Sequence, residues 1–551
     1  MIKDITLRLL PSEAVDDNSI KNAIAQATAA KRAAITGYYI VKQSMDARGR
    51  TVWINLTLKA FIDEPFRKRA LSPLNFRDVA NARHRVIIIG AGPAGLFAAL
   101  QLIELGIQPV ILERGKDVRA RRRDLAILNK EGVVNPESNY CFGEGGAGTY
   151  SDGKLYTRST KRGNINRILE ILFHFGAEEN VLYDAHPHIG TNKLPQIITA
   201  MRQQITDSGS LFLFEKKVVD FVVDKEEITA VKTADGDTIK GDAVILATGH
   251  SARDIFELLH QKNIQIEAKP FALGVRIEHP QTIIDTVQYH CNVRGELLPP
   301  ASYSMVQQVE SRGVFSFCMC PGGIIAPAAT NPGELVVNGW SPSKRNNPYA
   351  NSGMVVQVEL QDAAKGWSSV NSQWSMVNEE NGGVQRSAPG VQPNPLLMMH
   401  FQRMVEMAAF NAGGGKFVAP ATRMVDFVNG KTSSTLPACS YLPGIASADL
   451  GNVLPPFIKY SLQEGFKAFG KKMKGYLTND AVVVATESRT SSPIRIPRNA
   501  DSLQHPQVHN LYPCGEGAGY AGGIVSAAID GERVAMMLAQ KLGVEIPSHQ
   551  N

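Results

Sequence analysis

The sequence predicts an α/β protein in which a discontinuous main domain is interrupted by an inserted α+β domain and preceded by a small β-α-β-β domain. Three observations predict this arrangement. A buried apolar strand leads into a glycine-rich turn and a helix over residues 86–104. A second short strand with a glycine-rich loop and a helix follows only after residue 510, and the apolar spacing over residues 1–65 predicts a strand, a helix and two further strands. We therefore expect an N-terminal domain at 1–80, the main domain at 81–270 and 481–551, and the inserted middle domain at 271–480.

Composition narrows the class of protein. The 551 residues contain 58 Lys and Arg and 52 Asp and Glu, which gives a net charge of +6. This positive charge is too small to favour nucleic acid as a partner. The first ten residues lack the apolar run of a secretory signal, and the most apolar stretch, 86–107, is broken by glycine and proline, so we expect no membrane span. Six sparse cysteines make a reducing cytoplasm the default location.

The N-terminal domain is predicted from periodicity. Residues 2–9 alternate, residues 19–30 have helical spacing, and two further alternating runs are separated by a turn at Arg48-Gly49-Arg50. The charged, irregular residues 63–85 are expected to be a linker. Residues 368–395, the most polar stretch of the chain, are expected to form a long exposed loop.

The strongest local signal is a strand, a glycine-rich turn, a helix and a second strand ending in Glu113, which together form a Rossmann-like dinucleotide-binding unit. Gly90 permits the tight turn, Gly92 lets the backbone approach a pyrophosphate, and Gly95 lets the helix pack on the strand. Glu113 is placed to accept hydrogen bonds from ribose hydroxyls. The alternative is a glycine-rich turn without a ligand. The predicted contacts in the turn are Gly90, Ala91, Gly92, Pro93, Ala94 and Gly95.

A second GxGxxG pattern, at 143–148, has neither a buried strand before it nor a helix after it, so we do not expect a second nucleotide fold. A glycine-rich loop of this kind suits close backbone contact with a planar ring, although an ordinary surface loop is the alternative. The predicted contacts here are Gly145, Gly146, Ala147, Thr149, Ser151, Asp152, Gly153 and Lys154.

Two later segments place small residues where a strand ends. One buried strand stops at Ala247-Thr248-Gly249, and a short strand near residue 512 leads into Gly515-Glu516, more glycines and a helix. Each segment alone is equally compatible with tight packing. The predicted contacts are Ala247, Thr248, Gly249, Gly515, Glu516, Gly522, Gly523 and Ile524, with Val218 at the start of a β-meander that leads into the first of the two strands.

Together these segments resemble the FAD-binding domain of the flavoprotein superfamily that includes glutathione reductase and the aromatic hydroxylases. That superfamily usually has Gly-Asp where this chain has Gly515-Glu516. Over most of the chain after residue 80, the sequence is similar to a poorly characterised family of bacterial FAD-dependent dehydrogenases. The segments that carry this similarity are ERGKDVRARRRD, FGEGGAGTYSDGKLYTR, PHIGTNKL, FSFCMCPGG, ESRTSSPIRI and YPCGEGAGYAGGIVSAAIDG.

The resemblance implies FAD as the cofactor but leaves the substrate open. Arg114 and Gly115 follow Glu113 directly, and the resemblance singles out Arg121 from a basic helix, where it could pair with the pyrophosphate. A solvated basic face is the alternative for most of that helix.

The expected activity is that of an FAD-dependent oxidoreductase that transfers a hydride between a small substrate and the flavin. The alternatives are an NAD(P)H-dependent flavin reductase or monooxygenase, and a flavin-carrying binding or sensor protein whose N-terminal domain docks a partner. NAD(P)H or another electron carrier would bind only transiently, because no second dinucleotide unit is present. No catalytic acid or base is identified; the candidates by position are Lys154, His186, His188, His250 and Arg276.

Two further expectations concern the inserted domain. Cys318 and Cys320 are more often packing residues than a redox or metal pair in such a pattern, and no metal site is expected. The substrate is expected to lie between the inserted domain and the flavin, and to be at least partly anionic. The cations that would bind it are Arg276, Lys344, Arg345, Arg489 and Arg495, with a purely structural role as the alternative.

Overall fold

The computed structural model describes residues 1–157, 163–365 and 394–546. The expected loop at 368–395 therefore lies almost entirely outside the described residues. Among the residues that are described, no helix is both long enough and apolar enough to cross a membrane.

The N-terminal unit is a three-stranded antiparallel sheet with helices on one side. Its order along the chain is β1 Ile2–Leu9, α1 Pro11–Ala14, α2 Asp17–Thr28, β2 Ile35–Asp46 and β3 Trp53–Ile62. The third strand lies between the other two. Ile20 and Ile24 of α2 pack on Leu56 and Leu58 of β3, so this unit has a small core of its own. The predicted β-α-β-β order agrees with these elements.

The first part of the main domain follows an extended segment. It comprises β4 Arg85–Ile89, α3 Pro93–Glu104, β5 Gln108–Leu112, α4 Val118–Glu131, α5 Ile165–His174, α6 Leu194–Asp207, β6 Leu211–Leu213, β7 Val218–Asp224, β8 Glu227–Thr233, β9 Thr238–Ile239, β10 Ala243–Leu246 and α7 Arg253–Gln261. Strands β7, β8 and β9 form the expected antiparallel meander.

The middle unit is built on a seven-stranded sheet. Its elements are β11 Glu267–Ala268, β12 Phe271–Pro280, α8 Gln281–Tyr289, β13 Val306–Val309, β14 Arg312–Cys320, β15 Ile324–Pro327, β16 Val337–Trp340, β17 Tyr349–Val358, α9 Leu360–Lys365, α10 Leu397–Ala412, β18 Ala419–Arg423, α11 Met424–Val428, β19 Ile445–Ser447, α12 Pro456–Lys472 and β20 Val482–Glu487. The large sheet has the order β13-β14-β17-β12-β20-β18-β19.

The chain then returns to the main domain with β21 Ile494–Arg495, β22 Leu511–Pro513 and α13 Ile524–Lys541. Strand β22 pairs in parallel with β10, which completes a five-stranded sheet in the order β22-β10-β4-β5-β6. Helices α3 and α13 pack against each other on one face of that sheet. The two predicted parts of the main domain therefore form one sheet.

The boundary predicted at residues 480 and 481 is wrong by one strand. Strand β20, assigned from sequence to the C-terminal part of the main domain, lies in the middle sheet between β12 and β18. An apolar run such as Val482–Glu487 shows that a strand is buried on both faces, but it does not show which sheet the strand joins.

Candidate functional site

The site lies where the carboxyl ends of the parallel strands meet, the usual ligand-binding edge of such sheets. A cavity of about 380 Å³ opens there, between the five-stranded sheet and the middle unit. Its wall consists of residues 89, 90, 92–94, 112–114, 141, 142, 146–148, 151–154, 156, 216–218, 247–252, 255, 317, 318, 338, 489, 490, 516, 522–524 and 527.

The turn after β4 brings the start of α3 to this wall. Gly90 has a φ of +105°, and a Cβ there would lie 2.5 Å from the carbonyl oxygen of Ala247, so the turn requires glycine. Gly92 is the N-cap of α3, and no side chain caps the helix. The first amides of α3 therefore remain available to an anion at the cavity wall.

Glu113 connects three segments of the wall through its buried carboxylate. One oxygen accepts the amide hydrogen of Ala91 at 3.0 Å; the other accepts those of Gly115 at 2.8 Å and Gly143 at 2.9 Å. An ionised carboxylate offers about four acceptor positions, so Glu113 can still accept a hydrogen bond from a ligand.

The second glycine-rich loop is held from behind by Arg121, whose side chain is fully buried. Its guanidinium donates to the carbonyl oxygens of Asn139 and Glu144 at 2.8 Å, Tyr140 at 2.9 Å and Gly146 at 2.8 Å. The loop therefore takes its shape from a side chain that does not itself reach the cavity.

The opposite wall comes from the middle unit. Phe317 and Cys318 of β14 and Asn338 of β16 line it, and Arg489 and Thr490 follow from the segment after β20. The cavity is thus bounded by two separately folded sheets.

Lys154 connects the two walls. Its ammonium lies 3.5 Å from a carboxylate oxygen of Asp152 and also donates to the backbone oxygen of Met319 in β14. Asp152 in turn accepts a hydrogen bond from Arg345 at 2.7 Å and one from Ser341. Burial alone would raise the pKa of Asp152, but the positive charges of Lys154 and Arg345 lower it to about 2.

Comparison with known proteins shows the family to which this chain belongs. An uncharacterized protein from Clostridium beijerinckii is 38% identical to this chain over 522 residues, which cover 91% of this chain and 92% of that protein. The chain belongs to the family of that clostridial protein. Four family models match parts of the chain. Residues 83–135 match the model "FAD binding domain", and residues 270–490 match "FAD-dependent protein, C-terminal domain-like". Residues 195–280 match "Glucose inhibited division protein A", and residues 1–61 match "Domain of unknown function (DUF8436)".

The protein is an FAD-dependent oxidoreductase. Solved structures to which the chain is similar include a triple mutant of the flavin-dependent brominase Bmp2. The two are 10% identical, the match covers 84% of this chain and 82% of that chain, and the TM-score is 0.35. They also include 2,6-dihydroxypyridine-3-hydroxylase from Arthrobacter nicotinovorans, at 10% identity, 83% of each chain and a TM-score of 0.35. The glycerol-3-phosphate dehydrogenase from Bacillus halodurans is 11% identical, with 86% of this chain, 67% of that chain and a TM-score of 0.34.

The residues of this flavoprotein fit FAD. Helix α13, like α3, begins at the cavity wall, its N-cap Gly523 has a φ of +147°, and no side chain caps it. Two helix N-termini with free amides therefore face one cavity, which suits a ligand with a pyrophosphate at one position and polar ring oxygens at another. A Cβ at Gly92 would meet only the Cα of Gly146, at 4.0 Å, so the gap beside it is open to a ligand.

Most residues predicted from sequence to contact the cofactor lie on this wall. They are Gly90, Gly92, Pro93, Ala94, Glu113, Arg114, Gly146, Ala147, Ser151, Asp152, Gly153, Lys154, Val218, Ala247, Thr248, Gly249, Glu516, Gly522, Gly523 and Ile524. Those that lie behind it are Ala91, Gly95, Gly115, Arg121, Gly145, Thr149 and Gly515.

The residues behind the wall position it. A Cβ on Gly95 would lie 2.0 Å from the oxygen of Gly90, and one on Gly115 would lie 2.6 Å from the amide nitrogen of Gly143. These glycines allow close backbone packing. The predicted pairing of Arg121 with the pyrophosphate is wrong, because every nitrogen of its guanidinium donates to the protein instead.

The predicted positive lining for an anionic substrate is also wrong. Arg276 is fully buried and pairs with Glu487 at 2.7 Å, Arg345 pairs with Asp152, and Lys344 and Arg495 are exposed away from the wall. Arg489 reaches the wall but donates to two buried carboxylates, those of Glu334 and Glu406. Arg276, Arg345 and Arg489 are therefore committed to carboxylates within the protein, and Lys344 and Arg495 do not reach the wall.

Of the candidate acids and bases, only Lys154 and His250 lie on the wall. The Nδ1 atom of His250 lies 3.5 Å from a carboxylate oxygen of Glu516. His188 instead contacts the backbone oxygen of Ser343 at 3.1 Å, and the ring of His186 packs edge-on against Tyr156.

Sequence reasoning missed several wall residues, among them Cys141, Phe142, Lys216, Lys217, Phe317, Asn338 and Thr490. Lys216 and Lys217 lie within two residues of the predicted contact Val218, and Cys141 and Phe142 lie within four residues of Gly145, so all four could have been found from chain proximity. Phe317 and Asn338 come from strands of the middle unit, and no local pattern indicates that those strands face the cavity.

Proposed function

We propose that this flavoprotein is a dehydrogenase that transfers a hydride between a small-molecule substrate and FAD. FAD, when bound, supplies the group that accepts or gives up the hydride. The observation that carries the proposal is the double wall of the cavity. The dinucleotide edge of one sheet faces Phe317 and Asn338 from strands of the middle unit, and ligand sites favour such interfaces between domains.

In this proposal the protein's own residues divide the work. The N-termini of α3 and α13 and the turn at Gly90 bind the cofactor, and Glu113 accepts a hydrogen bond from its ribose. The glycine-rich loop at 145–154, shaped by Arg121, lies against the flavin ring. His250 is the side chain best placed to move a proton, because it is on the wall and beside the carboxylate of Glu516.

The domain division proposed here follows the sheets. Residues 1–80 form the N-terminal domain, 81–270 and 491–551 the FAD-binding domain, and 271–490 the substrate domain. We also propose a reducing cytoplasm as the working location, since all six cysteines are unpaired. NAD(P)H or another electron carrier would then bind transiently at the cavity mouth.

The test begins with the purified protein. We expect it to be yellow and to release FAD rather than FMN on denaturation, measured by chromatography of the extract. Anaerobic addition of metabolite pools should bleach the flavin when they contain the substrate. In a separate aerobic turnover under isotopically labelled O2, the product should carry no labelled oxygen atom. Incorporation of that label would overturn the dehydrogenase and indicate a monooxygenase; rapid bleaching by NADPH alone would indicate a flavin reductase.

A matched pair of variants tests the role of His250. His250→Gln should slow substrate-dependent bleaching by about a hundredfold or more, the usual contribution of a general acid or base. His509→Gln, at an exposed histidine outside the cavity, should bleach at the wild-type rate. Wild-type bleaching in His250→Gln with full FAD content would show that the proton moves by another route.

A further inference from the structure

Two cysteines of the middle unit meet a lysine of the glycine-rich loop at the cavity wall. Lys154 Nζ lies 3.9 Å from the Sγ of Cys318 and 3.8 Å from the Sγ of Cys320. The Cys320 thiol donates to the backbone oxygen of Cys318 at 3.3 Å. Cys318 lines the cavity, and Cys320 lies fully buried behind it. One sulfur therefore faces the site, and both sulfurs contact the same ammonium group.

The backbone here departs from a regular strand. The register between β14 and β17 shifts between Phe317 and Cys320, and Cys318 has a φ of +45°, in the left-handed region that residues other than glycine seldom adopt. A packing cysteine needs no such conformation. Strained backbone of this kind concentrates where side chains must be held in a specific position.

The charges around the pair favour a thiolate. The neighbouring Cys320 thiol, together with the positive charges of Lys154 and Arg276, lowers the pKa of Cys318, although burial opposes the shift. Arg276 also donates to the backbone oxygen of Cys318 at 3.4 Å. Cys514 provides the contrast within this chain, because burial in the core raises its pKa well above the usual value. Cys514 is a packing residue, and Cys318 has the surroundings of a reactive one.

We propose that Cys318 and Cys320 form a redox-active dithiol that exchanges two electrons with the flavin and closes to a disulfide across Met319. The proposal rests on the proposed function only in placing the flavin ring against this wall. It takes up the redox alternative that the sequence left open for this pair.

The exchange balances without a further reactant. The Cys318 thiolate and the Cys320 thiol give one S–S bond, and the S–H bond of Cys320 breaks. Two electrons and that one proton pass to oxidised FAD, which becomes the singly protonated, anionic reduced flavin. One negative charge is present before and after, and Lys154 keeps its positive charge throughout. A disulfide closed over one residue is strained, and strained disulfides are readily reduced again.

The first experiment uses the protein stripped of FAD, so it does not depend on the proposed function. Trypsin releases residues 313–344 as a peptide with these two cysteines and no other. After mild oxidation with diamide, the wild-type peptide should lose two hydrogen atoms in mass and resist alkylation until it is reduced. Cys291→Ser, at a cysteine outside the cavity, should give the same result. A wild-type peptide that remains fully alkylated after oxidation would overturn the proposal, and this measurement needs no variant to fold.

The second arm measures the thiolate. At pH 6.5, Cys318 of the FAD-free wild type should react with iodoacetamide about tenfold faster or more than in Lys154→Met, and Lys154→Arg should restore most of the rate. Equal rates in wild type and Lys154→Met would show that the lysine does not stabilise a thiolate.

The third arm tests the exchange with the flavin. Oxidised holoprotein titrated anaerobically with dithionite should take up twice as many reducing equivalents per FAD as Cys318→Ser/Cys320→Ser. Equal uptake, with the disulfide present by mass, would exclude electron exchange with the flavin. If the protein binds no FAD at all, the proposed function fails while the disulfide result stands. If it binds FAD and oxidises substrate but forms no disulfide, only the dithiol fails.

Discussion

Gly92 and Gly95 belong to the same turn but should fail for different reasons when each is replaced by valine. A Cβ at Gly92 would meet only the Cα of Gly146 at 4.0 Å, an ordinary van der Waals contact. A Cβ at Gly95 would lie 2.0 Å from the oxygen of Gly90, closer than any side-chain atom can approach. We expect Gly92→Val to lose FAD and keep its fold, and Gly95→Val to lose stability with or without FAD.

The magnitudes follow from these contacts. Valine at the N-cap Gly92 should reduce the free energy of unfolding by ~1 kcal/mol, since valine is a poor N-cap. It should also separate a pyrophosphate from two amides of α3, each hydrogen bond contributing ~1.5–3 kcal/mol. The sum, ~3–6 kcal/mol, corresponds to an FAD dissociation constant raised ~10²–10⁴-fold. Overpacking at Gly95 should cost the apoprotein ~1–3 kcal/mol or more.

The assay separates the two effects. Apoprotein of each variant is unfolded in urea to obtain its free energy of unfolding, and FAD affinity is then measured by quenching of flavin fluorescence. Wild-type FAD affinity in Gly92→Val would show that the pyrophosphate does not lie at this turn. Wild-type apoprotein stability in Gly95→Val would show that α3 does not pack on the turn as closely as described.

Three further predictions concern buried polar side chains. Burial raises the pKa of Glu278 to about 7, above its ordinary 4.5, so its contribution to stability is present below pH ~4.5 and is lost as the pH rises through 7. Glu278→Gln should therefore exceed the wild type by about 3 kcal/mol at pH 8 and match it near pH 4, which urea unfolding at both pH values would check. Arg121→Met should lower the free energy of unfolding by at least ~3 kcal/mol, because several buried carbonyl groups lose their hydrogen-bond donor, and it should also weaken FAD binding. An unchanged melting temperature would contradict the loss of stability. Glu406→Gln should destabilise the protein by ~3–5 kcal/mol, because Arg253 and Arg489 lose one of the two carboxylates that they share and keep only Glu334. Unfolding at the wild-type urea concentration would show that the network contributes little to stability.

The parts of the site that could be predicted from sequence are those in which residues at the site also need a particular backbone conformation or close packing within one short segment. Gly90 needs a positive φ and Gly95 needs close packing, and both requirements fall within one strand, turn and helix. The order of the N-terminal unit follows from periodicity for the same reason. A local pattern carries information about backbone conformation and about which face of an element is buried.

Ion-pair partners and sheet membership depend on contacts between distant positions, so the sequence does not reveal them. Arg276 pairs with Glu487, which lies 211 residues away, and Arg121 binds carbonyls of a loop whose shape is known only after folding. A basic side chain looks the same in a sequence whether it faces a substrate or a buried carboxylate. Burial decides between the two, because a charge removed from water requires a partner within the protein.

This pairing bears on the kind of substrate that the cavity selects. Arg489 on the wall is matched by Glu334 and Glu406, and Lys154 by Asp152, so the cations nearest the middle unit have anionic partners of their own. A carboxylate substrate would have to compete with these buried partners for the same donors. Binding by shape and by contact with uncharged groups meets no such competition. We therefore propose that the substrate is neutral and lies between Phe317 and the flavin, and that the cation beside Cys318 serves to stabilise a thiolate.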